Sequence, residues 1–436
     1  MSPAFNIARA RRWVAADARV LGADTPQRDA QGFGRVDILV EAGRIGAVAP
    51  AGTADFGDAP RLPLAGRIAT PAFVDAHTHL DKGHIWRRAP NSSGAFADAV
   101  QTTARDRATR WSAADVAARM EFALRCAYAN GTRAMRTHLD SVRPQAAISF
   151  PVFAALRERW RGRVELQASP LFGVDVLFEP GHLETIEAIV EAHGSKLLGA
   201  VTYMIPRLQE ALDALFAVAE RRGWDLDFHV DESADPAARS LGAIAETALA
   251  RRFAGKILVG HCCSLARQDE RERDEVIDKV ARAKIDVVSL PMCNMFLQDR
   301  QAGRTPRWRG VTALHELKAA GVEVMIAGDN TRDPFYAYGD LDMLEVWREG
   351  VRILHLDYPH ADWADAVGAA PARAMRLAPP RLAVGEPADM ILTQARDFTE
   401  LFARPHGDRV VVRDGAALDA APPAYAELDA LEGLAP

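Results

Sequence analysis

Residues 70–80 read TPAFVDAHTHL, an apolar run that ends in two histidines separated by one residue. Successive side chains of a β-strand point to opposite faces, so residues at i and i+2 share a face. We therefore predict a buried strand with His77 and His79 side by side at its carboxyl end. Two imidazoles in that arrangement can bind one metal ion.

Seven further apolar runs follow this stretch, and helical patterns separate most of them. They are GTRAMRTHLD (131–140), VELQASPLF (164–172), LLGAVTYMI (197–205), DLDFHVDES (225–233), ILVGHCC (257–263), DVVSLPMCN (286–294) and VEVMIAGDN (322–330). Alternation of strands and helices indicates βα units and a parallel sheet. Eight such units favour a closed (β/α)8 TIM barrel over residues 66–375. An open doubly wound sheet is the alternative.

Both ends of the chain show strand patterns broken by glycine. The clearest are RVDILVEAGRIGAVAP (35–50), ADMILTQARD (388–397) and RVVVRDGAAL (409–418). We predict that residues 1–65 and 376–436 pair into one small β-domain, which flanks the catalytic barrel of residues 66–375.

The composition excludes several classes of protein. Of 436 residues, 49% are hydrophobic and 26% charged, an ordinary globular mixture. The net charge is -6 and no long basic block occurs, which argues against nucleic acid as a partner. No apolar run approaches the ~20 residues of a membrane span. The four cysteines form no disulfide framework, so we expect a reduced, cytoplasmic protein.

Polar side chains end several of the predicted strands, at the catalytic face of a barrel. Besides His77 and His79 they include His138, His229, His261 and Asp329. Histidines plus one carboxylate suit one divalent transition metal that keeps a position open for water. Such a metal makes a hydroxide nucleophile near neutral pH.

Each of these residues alone also fits a structural role. Glu232, three residues after His229, fits either a proton shuttle or a solvated acidic loop. Asp329 fits a metal ligand and general base or a helix N-cap. The adjacent Cys262 and Cys263 cannot easily share one tetrahedral ion. The absence of a PCxxC segment excludes the deaminases that bind zinc through it. Because the histidines and Asp329 all lie at strand ends, we favour a shared metal site over separate structural roles.

The order of motifs resembles the amidohydrolase superfamily, and within it the bacterial cytosine deaminase group with its relatives that act on modified pyrimidines and alkylaminotriazines. The resemblance covers most of the chain. The motifs that carry it are HTHLDK (77–82), RTHLD (136–140), HVDE (229–232), GH (260–261), NMFLQDR (294–300), RWRGVT (307–312) and GDNTRDPFY (328–336). It implies a distorted barrel flanked by a small β-sandwich domain.

The resemblance also implies roles. It assigns one metal ion, Zn²⁺ or Fe²⁺, to His77, His79, His229 and Asp329. Glu232 would protonate a ring nitrogen and His261 would orient the attacking water. Asp329 would take a proton from that water and pass it to the leaving ammonia.

The substrate-binding segments depart from the family pattern. Leu171 stands where cytosine deaminases place a glutamine, and Gln167 on the same strand is the substitute we expect. Asn330 replaces a second aspartate and Phe335 replaces a tryptophan. The segment HLDK, which ends at Lys82, resembles that of the triazine-type relatives, and the Lys82 side chain would face a ring carbonyl.

These observations predict a metal-dependent aminohydrolase that releases ammonia from a small amino-substituted N-heterocycle. Cytosine, 5-methylcytosine and isocytosine are the leading substrates. The changed residues at the substrate-binding edge leave the exact heterocycle open, because a changed binding edge implies a changed substrate. An N-isopropylammelide-like alkylaminotriazine amidohydrolase that releases an amine is the first alternative, and a non-catalytic barrel is the second. The expected partner is the small molecule alone, and association into a homo-oligomer is left open.

Overall fold

The computed structural model describes residues 10–23, 25 and 27–433. Near the amino end, four strands form a sheet in the order β3-β2-β1-β4, and a fifth short strand follows. These are β1 (Arg12–Leu21), β2 (Phe33–Glu41), β3 (Arg44–Pro50), β4 (Arg61–Pro63) and β5 (Ala69–Pro71). Most side chains of β1 and β2 are buried, and neighbouring positions contribute to two different apolar clusters, with Ile38 in one and Leu39 in the other.

Two parallel sheets form the middle of the chain. One has the order β6-β7-β8 and the other β10-β11-β12-β13-β14, with β9 also paired to β11. Isolated parallel bridges link the two sheets, Gly173 to Val201 at one side and Thr78 to Asp329 at the other. The strands are β6 (Phe73–Thr78), β7 (Thr132–Asp140), β8 (Glu165–Leu171), β9 (Leu197–Leu198), β10 (Val201–Thr202), β11 (Asp225–Val230), β12 (Ile257–His261), β13 (Asp286–Ser289) and β14 (Val324–Ile326).

The run predicted as one strand over 197–205 is two short strands. Gly199 lies in the break, and a Cβ atom there would come within 2.0 Å of the carbonyl oxygen of Asp227. Only glycine allows the backbone to approach β11 this closely.

Helices alternate with the parallel strands, as the sequence pattern predicts. They are α1 (Phe96–Arg110), α2 (Ala113–Ala129), α3 (Ala146–Arg159), α4 (His182–Ala192), α5 (Leu208–Arg222), α6 (Ser240–Arg251), α7 (Glu270–Arg282), α8 (Pro291–Leu297), α9 (Leu314–Ala319), α10 (Met343–Leu354), α11 (Ala369–Ala374), α12 (Phe398–Ala403) and α13 (Asp429–Glu432). Side-chain caps start some of them; Asp269 accepts a hydrogen bond from Glu272 N at 3.0 Å. Within the described ranges, none combines the length and apolar character that a membrane span requires.

The carboxyl end of the chain adds a second four-stranded sheet of order β17-β16-β15-β5. Its strands are β15 (Met390–Leu392), β16 (Val410–Arg413) and β17 (Ala416–Ala417). Both small sheets contribute to one apolar core, which includes Trp13, Ile38, Met390 and Val412. Because β5 belongs to this sheet, the amino-terminal contribution runs past residue 65, where the sequence analysis ended it.

Apolar side chains of the parallel strands form a buried cluster between the strands. Val74, Leu258 and Met325 pack there with residues of α11. The carboxyl ends of the strands carry polar side chains instead, so this end holds the candidate site.

Candidate active site

Five histidines and one aspartate meet at the carboxyl ends of the parallel strands. All six are buried. The histidines lie on or next to β6, β7, β11 and β12, and the aspartate follows β14; they are His77, His79, His138, His229, His261 and Asp329.

Three imidazoles and the carboxylate converge on one point. His229 Nε2 lies 3.1 Å from His77 Nε2 and 3.2 Å from His79 Nε2. Asp329 Oδ1 lies 3.1 Å from His79 Nε2 and 3.5 Å from His77 Nε2. Ligand atoms around a tetrahedral ion at 2.0–2.1 Å are about 3.3–3.4 Å apart. Four of the six separations among these atoms are therefore near the value for one shared divalent ion.

The protonation states of these four side chains also suit the binding of a metal ion. Burial, with a smaller contribution from neighbouring cationic groups, holds the pKa of His77, His79 and His229 well below the usual value. The imidazoles are thus neutral, as metal ligands must be. Burial raises the pKa of Asp329 to about 7. No N–H or O–H group of the described chain donates to either of its oxygens, so a cation would stabilise the carboxylate.

Two of the site residues hold an unusual backbone conformation. His261 has φ 69° and Asp329 has φ 62°, in the left-handed region that non-glycine residues seldom adopt. Hydrogen bonds fix both: Asp329 N donates to His77 O at 2.8 Å, and Thr312 Oγ1 donates to His261 O at 2.5 Å. Such conformations occur where a side chain must be aimed at a fixed point.

His261 belongs to a second group, with Glu232 and Asn294. Its Nδ1 lies 3.3 Å from Glu232 Oε1. Asn294 Nδ2 lies 3.0 Å from that same oxygen and 2.9 Å from His261 Nδ1. Burial opposes protonation of His261, yet the nearby Glu232 carboxylate outweighs it and raises the pKa of the imidazole. A carboxylate, an imidazole and an amide thus share one hydrogen-bonded cluster beside the metal ligands.

His138 packs directly against the metal ligands, with its ring centroid 4.1 Å from that of His77. Its Nε2 lies 2.9 Å from Asp227 Oδ1, and Arg136 Nη1 donates to Asp227 Oδ2 at 2.7 Å. Arg136 Nη1 donates to one oxygen of Asp227, and the other oxygen accepts from His138 Nε2, which leaves His138 Nδ1 without a partner among the described residues. The chain thus offers a fourth histidine to the cluster.

Lys82 and Phe335 lie together at the same end of the strands. The Lys82 ammonium sits over the Phe335 ring, 4.7 Å from its centroid, and 3.3 Å from Asp140 Oδ1. Burial disfavours the charged lysine, but the carboxylates around it, Asp140 first, raise its pKa above the usual value. Lys82 is therefore a buried cation beside an aromatic ring.

The other residues predicted to bind substrate lie in different surroundings. Asn330 donates to Asp333 Oδ2 at 2.7 Å, and Leu171 is buried at the end of β8. Gln167 is not brought to the histidines. Its Oε1 accepts from Arg136 Nη2 at 2.9 Å and its Nε2 donates to Met375 O at 2.8 Å, so its amide is occupied below the site.

Comparison with known proteins relates this chain to a family and to individual relatives. The model of the amidohydrolase family matches residues 158–417, more than half of the chain. A pterin deaminase of Rhizobium rhizogenes is 50% identical over 404 residues, which cover 92% of each protein.

The chain belongs to the amidohydrolase family.

Two solved structures are similar to this amidohydrolase over nearly their whole length. One is a 5-methylcytosine deaminase from Klebsiella pneumoniae, with a TM-score of 0.81, 24% identity, and coverage of 94% of this chain and 98% of the other. The second, N-isopropylammelide isopropylaminohydrolase from Burkholderia multivorans, has a TM-score of 0.73, 28% identity, and coverage of 94% and 98%. Together with the family match and the pterin deaminase they confirm the superfamily, and they imply a TIM-barrel-like α/β fold.

Family and relatives together show that this amidohydrolase is a hydrolytic aminohydrolase, as the sequence analysis predicted. Members of the family use a divalent metal, and the histidine-rich cluster is the place in the described chain where its residues fit one.

The sequence analysis gave no role to three residues of this site. His138 was placed at the end of a predicted strand but was given no role, and Asp140 lies two residues further on in the same segment, RTHLD. Asn294 ends the predicted run DVVSLPMCN and begins the motif NMFLQDR, but it was given no role, and the structure places it on α8. A buried amide on a short helix is found only once the helix is packed.

Proposed function

We propose that this amidohydrolase deaminates a pterin by hydrolysis. The similarity to a pterin deaminase at 50% identity over 92% of both chains carries this proposal. The amino-bearing ring of a pterin is an isocytosine, which was among the substrates expected from the sequence. In the reaction the C2–N bond to the amine breaks, a C2–O bond forms from water, and ammonia leaves. The product is the 2,4-dioxo ring.

The metal of this proposal would be held by His77, His79, His229 and Asp329. Their separations and the unpaired oxygens of Asp329 support this set. When bound, a divalent ion supplies Lewis-acid activation of water near neutral pH. His138 is a further neighbour of the set through His77.

The chain's own groups would move the protons. Glu232 would donate a proton to the ring nitrogen beside C2, which makes that carbon more electrophilic. His261 would orient the attacking water, and Asp329 would take its proton and deliver it to the leaving amine. The partly accessible Glu232 lies 3.3 Å from His261 Nδ1, and the buried Asp329 has a carboxylate oxygen within 4.8 Å of a His261 ring nitrogen, which supports this division of roles.

The ring itself would lie against Lys82 and Phe335. A buried ammonium is suited to the 4-oxo group of a pterin, and an aromatic ring offers a face for stacking. Leu171 and Asn330 would complete the pocket. Gln167 is omitted, because its amide is occupied by Arg136 and Met375.

A substrate panel tests this proposal. Purified, metal-loaded protein is expected to release ammonia from pterin with a kcat/KM at least ~100-fold above that for cytosine, 5-methylcytosine or isocytosine, because the second ring adds stacking and apolar contact. Ammonia is measured with a coupled dehydrogenase, and the 2,4-dioxo product by its absorbance. A higher kcat/KM for any monocyclic pyrimidine would contradict the pterin assignment.

The alternative of amine release has one observation in its favour, the 28% identity to the N-isopropylammelide hydrolase over 94% of this chain. N-isopropylammelide is therefore part of the same panel. Release of isopropylamine without any ammonia from pterin would decide for this second function.

We also infer the finer architecture. The nine short parallel strands would form one distorted (β/α)8 barrel, since bridges at Gly173–Val201 and Thr78–Asp329 join the two sheets at both sides. The two end sheets would form a β-sandwich domain around their shared core. The boundary of its amino-terminal part would lie after Pro71 rather than at residue 65.

A further inference from the structure

Asn294 is placed between the two groups to which the proposed function gives proton and water handling. Its Nδ2 lies 3.0 Å from Glu232 Oε1 and 2.9 Å from His261 Nδ1. An amide nitrogen carries two hydrogens and no lone pair to share, so it donates to both partners at once. Asn294 is fully buried, so water does not compete for these bonds.

The orientation of the Asn294 amide follows from Glu232. Turning the amide over would bring Oδ1 to about the position of Nδ2, against an oxygen of the Glu232 carboxylate. Two acceptors at that distance repel each other. In the observed orientation Oδ1 has no partner in the described part of the chain, so the two bonds from Nδ2 hold the side chain in place.

The donor from Asn294 sets the tautomer of His261. Glu232 Oε1, 3.3 Å from the same Nδ1, favours a proton on that nitrogen and raises the pKa of the imidazole, whereas the Asn294 donor opposes it. A neutral imidazole has one N–H and one lone pair, and an Nδ1 that accepts from Asn294 leaves the proton on Nε2. His261 Nε2 is buried and has no partner within the described residues. One ligating atom of His261 lies within 4.8 Å of those of His77 and Asp329. The Nε2–H group is thus free to donate to an oxygen held beside them.

We propose that Asn294 is a positioning residue that fixes His261 as the Nε2–H tautomer and holds the Glu232 carboxylate toward the substrate. This inference rests on the proposed function for the roles of those two side chains. Asn294 separates their tasks: Glu232 carries the proton to the ring, and His261 only donates a hydrogen bond to the attacking oxygen. Gln298 supports the same loop, since its Nε2 donates to Glu232 O at 3.2 Å.

Asn294→Asp tests the assignment with a side chain of the same shape. The acid offers an acceptor where two donors are needed, so it repels Glu232 and attracts an N–H from His261 Nδ1. We expect kcat for pterin to fall at least ~100-fold, as for other losses of a correctly placed proton carrier, with KM within about threefold and metal content unchanged. Unchanged kcat in a folded, metal-loaded variant would overturn the proposal.

Asn130→Asp is the matched control. Asn130 is also a buried amide, but it donates to Asp340 O at 3.0 Å just before the amino end of β7, away from the histidines. Its replacement changes folding stability without reaching Glu232 or His261. A kcat loss equal to that of Asn294→Asp would show a general effect of buried amide loss, and the proposal would fail.

The tautomer is measured directly by ¹⁵N NMR of histidine-labelled, zinc-loaded protein, with His261 assigned by the signal lost in His261→Gln. We expect an unprotonated Nδ1 and a protonated Nε2 in the wild type. A protonated Nδ1 there would overturn the proposal even if Asn294→Asp does not fold. The spectrum needs no substrate, so a wild-type protein inactive on pterin would reject the proposed function separately.

Discussion

Glu232→Gln is expected to lower kcat for pterin deamination at least ~100-fold while one metal ion per chain stays bound. The amide keeps the size of the side chain but carries no proton of suitable acidity for the ring nitrogen, and general acid catalysis contributes about 10²–10⁴ in rate. Glu232 is not among the side chains that converge on the metal position. The bound metal should therefore be unaffected by this change.

The measurement pairs steady-state kinetics with metal analysis of the same sample. Glu246→Gln is the matched control, because Glu246 is an exposed carboxylate on α6 that pairs with Lys279 at 2.7 Å. It should keep wild-type kinetics. A Glu232→Gln enzyme with near-normal kcat would remove Glu232 from the mechanism.

Asp329→Asn has the second large expected effect, loss of both metal and activity. Asp329 Oδ1 lies 3.1 Å from His79 Nε2 and 3.5 Å from His77 Nε2. A neutral amide supplies no charge to offset the ion's desolvation and accepts no proton from water. We expect bound metal to fall below about one tenth per chain and kcat to fall at least ~1,000-fold, since ligand and base are lost together.

Asp286→Asn is the control for removal of a buried carboxylate. Asp286 begins β13, at the opposite end of the strands, and pairs with Lys256 at 3.3 Å. Its variant should retain metal. Full metal occupancy in Asp329→Asn, by mass spectrometry under native conditions, would show that the metal is held without this residue.

The meeting of the histidines and Asp329 at one end of the strands could be predicted from the sequence because it follows strand periodicity. His77 and His79 share a face through their i, i+2 spacing, and an apolar run before His261 and before Asp329 marks each as a strand end. Parallel strands bring such ends together whatever their separation along the chain. This is why residues as distant as His77 and Asp329 were placed in one site.

Gln167 shows where that reasoning fails. It shares a face with Leu171, but four residues along a strand correspond to about 13 Å. The side chain therefore lies one layer deeper, where Arg136 and Met375 O occupy its amide. Facing direction is encoded in the alternation of residues, whereas depth depends on where the strand meets its neighbours.

The role of Asn294 and the pairing of β5 were not predicted from the sequence, for other reasons. Asn294 lies on the seven-residue helix α8, too short for a helical period to show which side is buried. The strand β5 has three residues and ends at Pro71, so it offers no alternation, and its pairing with β15 depends on a segment more than 300 residues later. Neither position can be found from local pattern.

The most direct test of the account is a metal titration of the chelated enzyme, with ammonia release from pterin as the readout. The account predicts no turnover in metal-free protein, and activity that rises with added Zn²⁺ or Fe²⁺ to a plateau at one ion per chain. Undiminished turnover without metal, or a plateau that requires two ions, would contradict a single centre formed by His77, His79, His229 and Asp329.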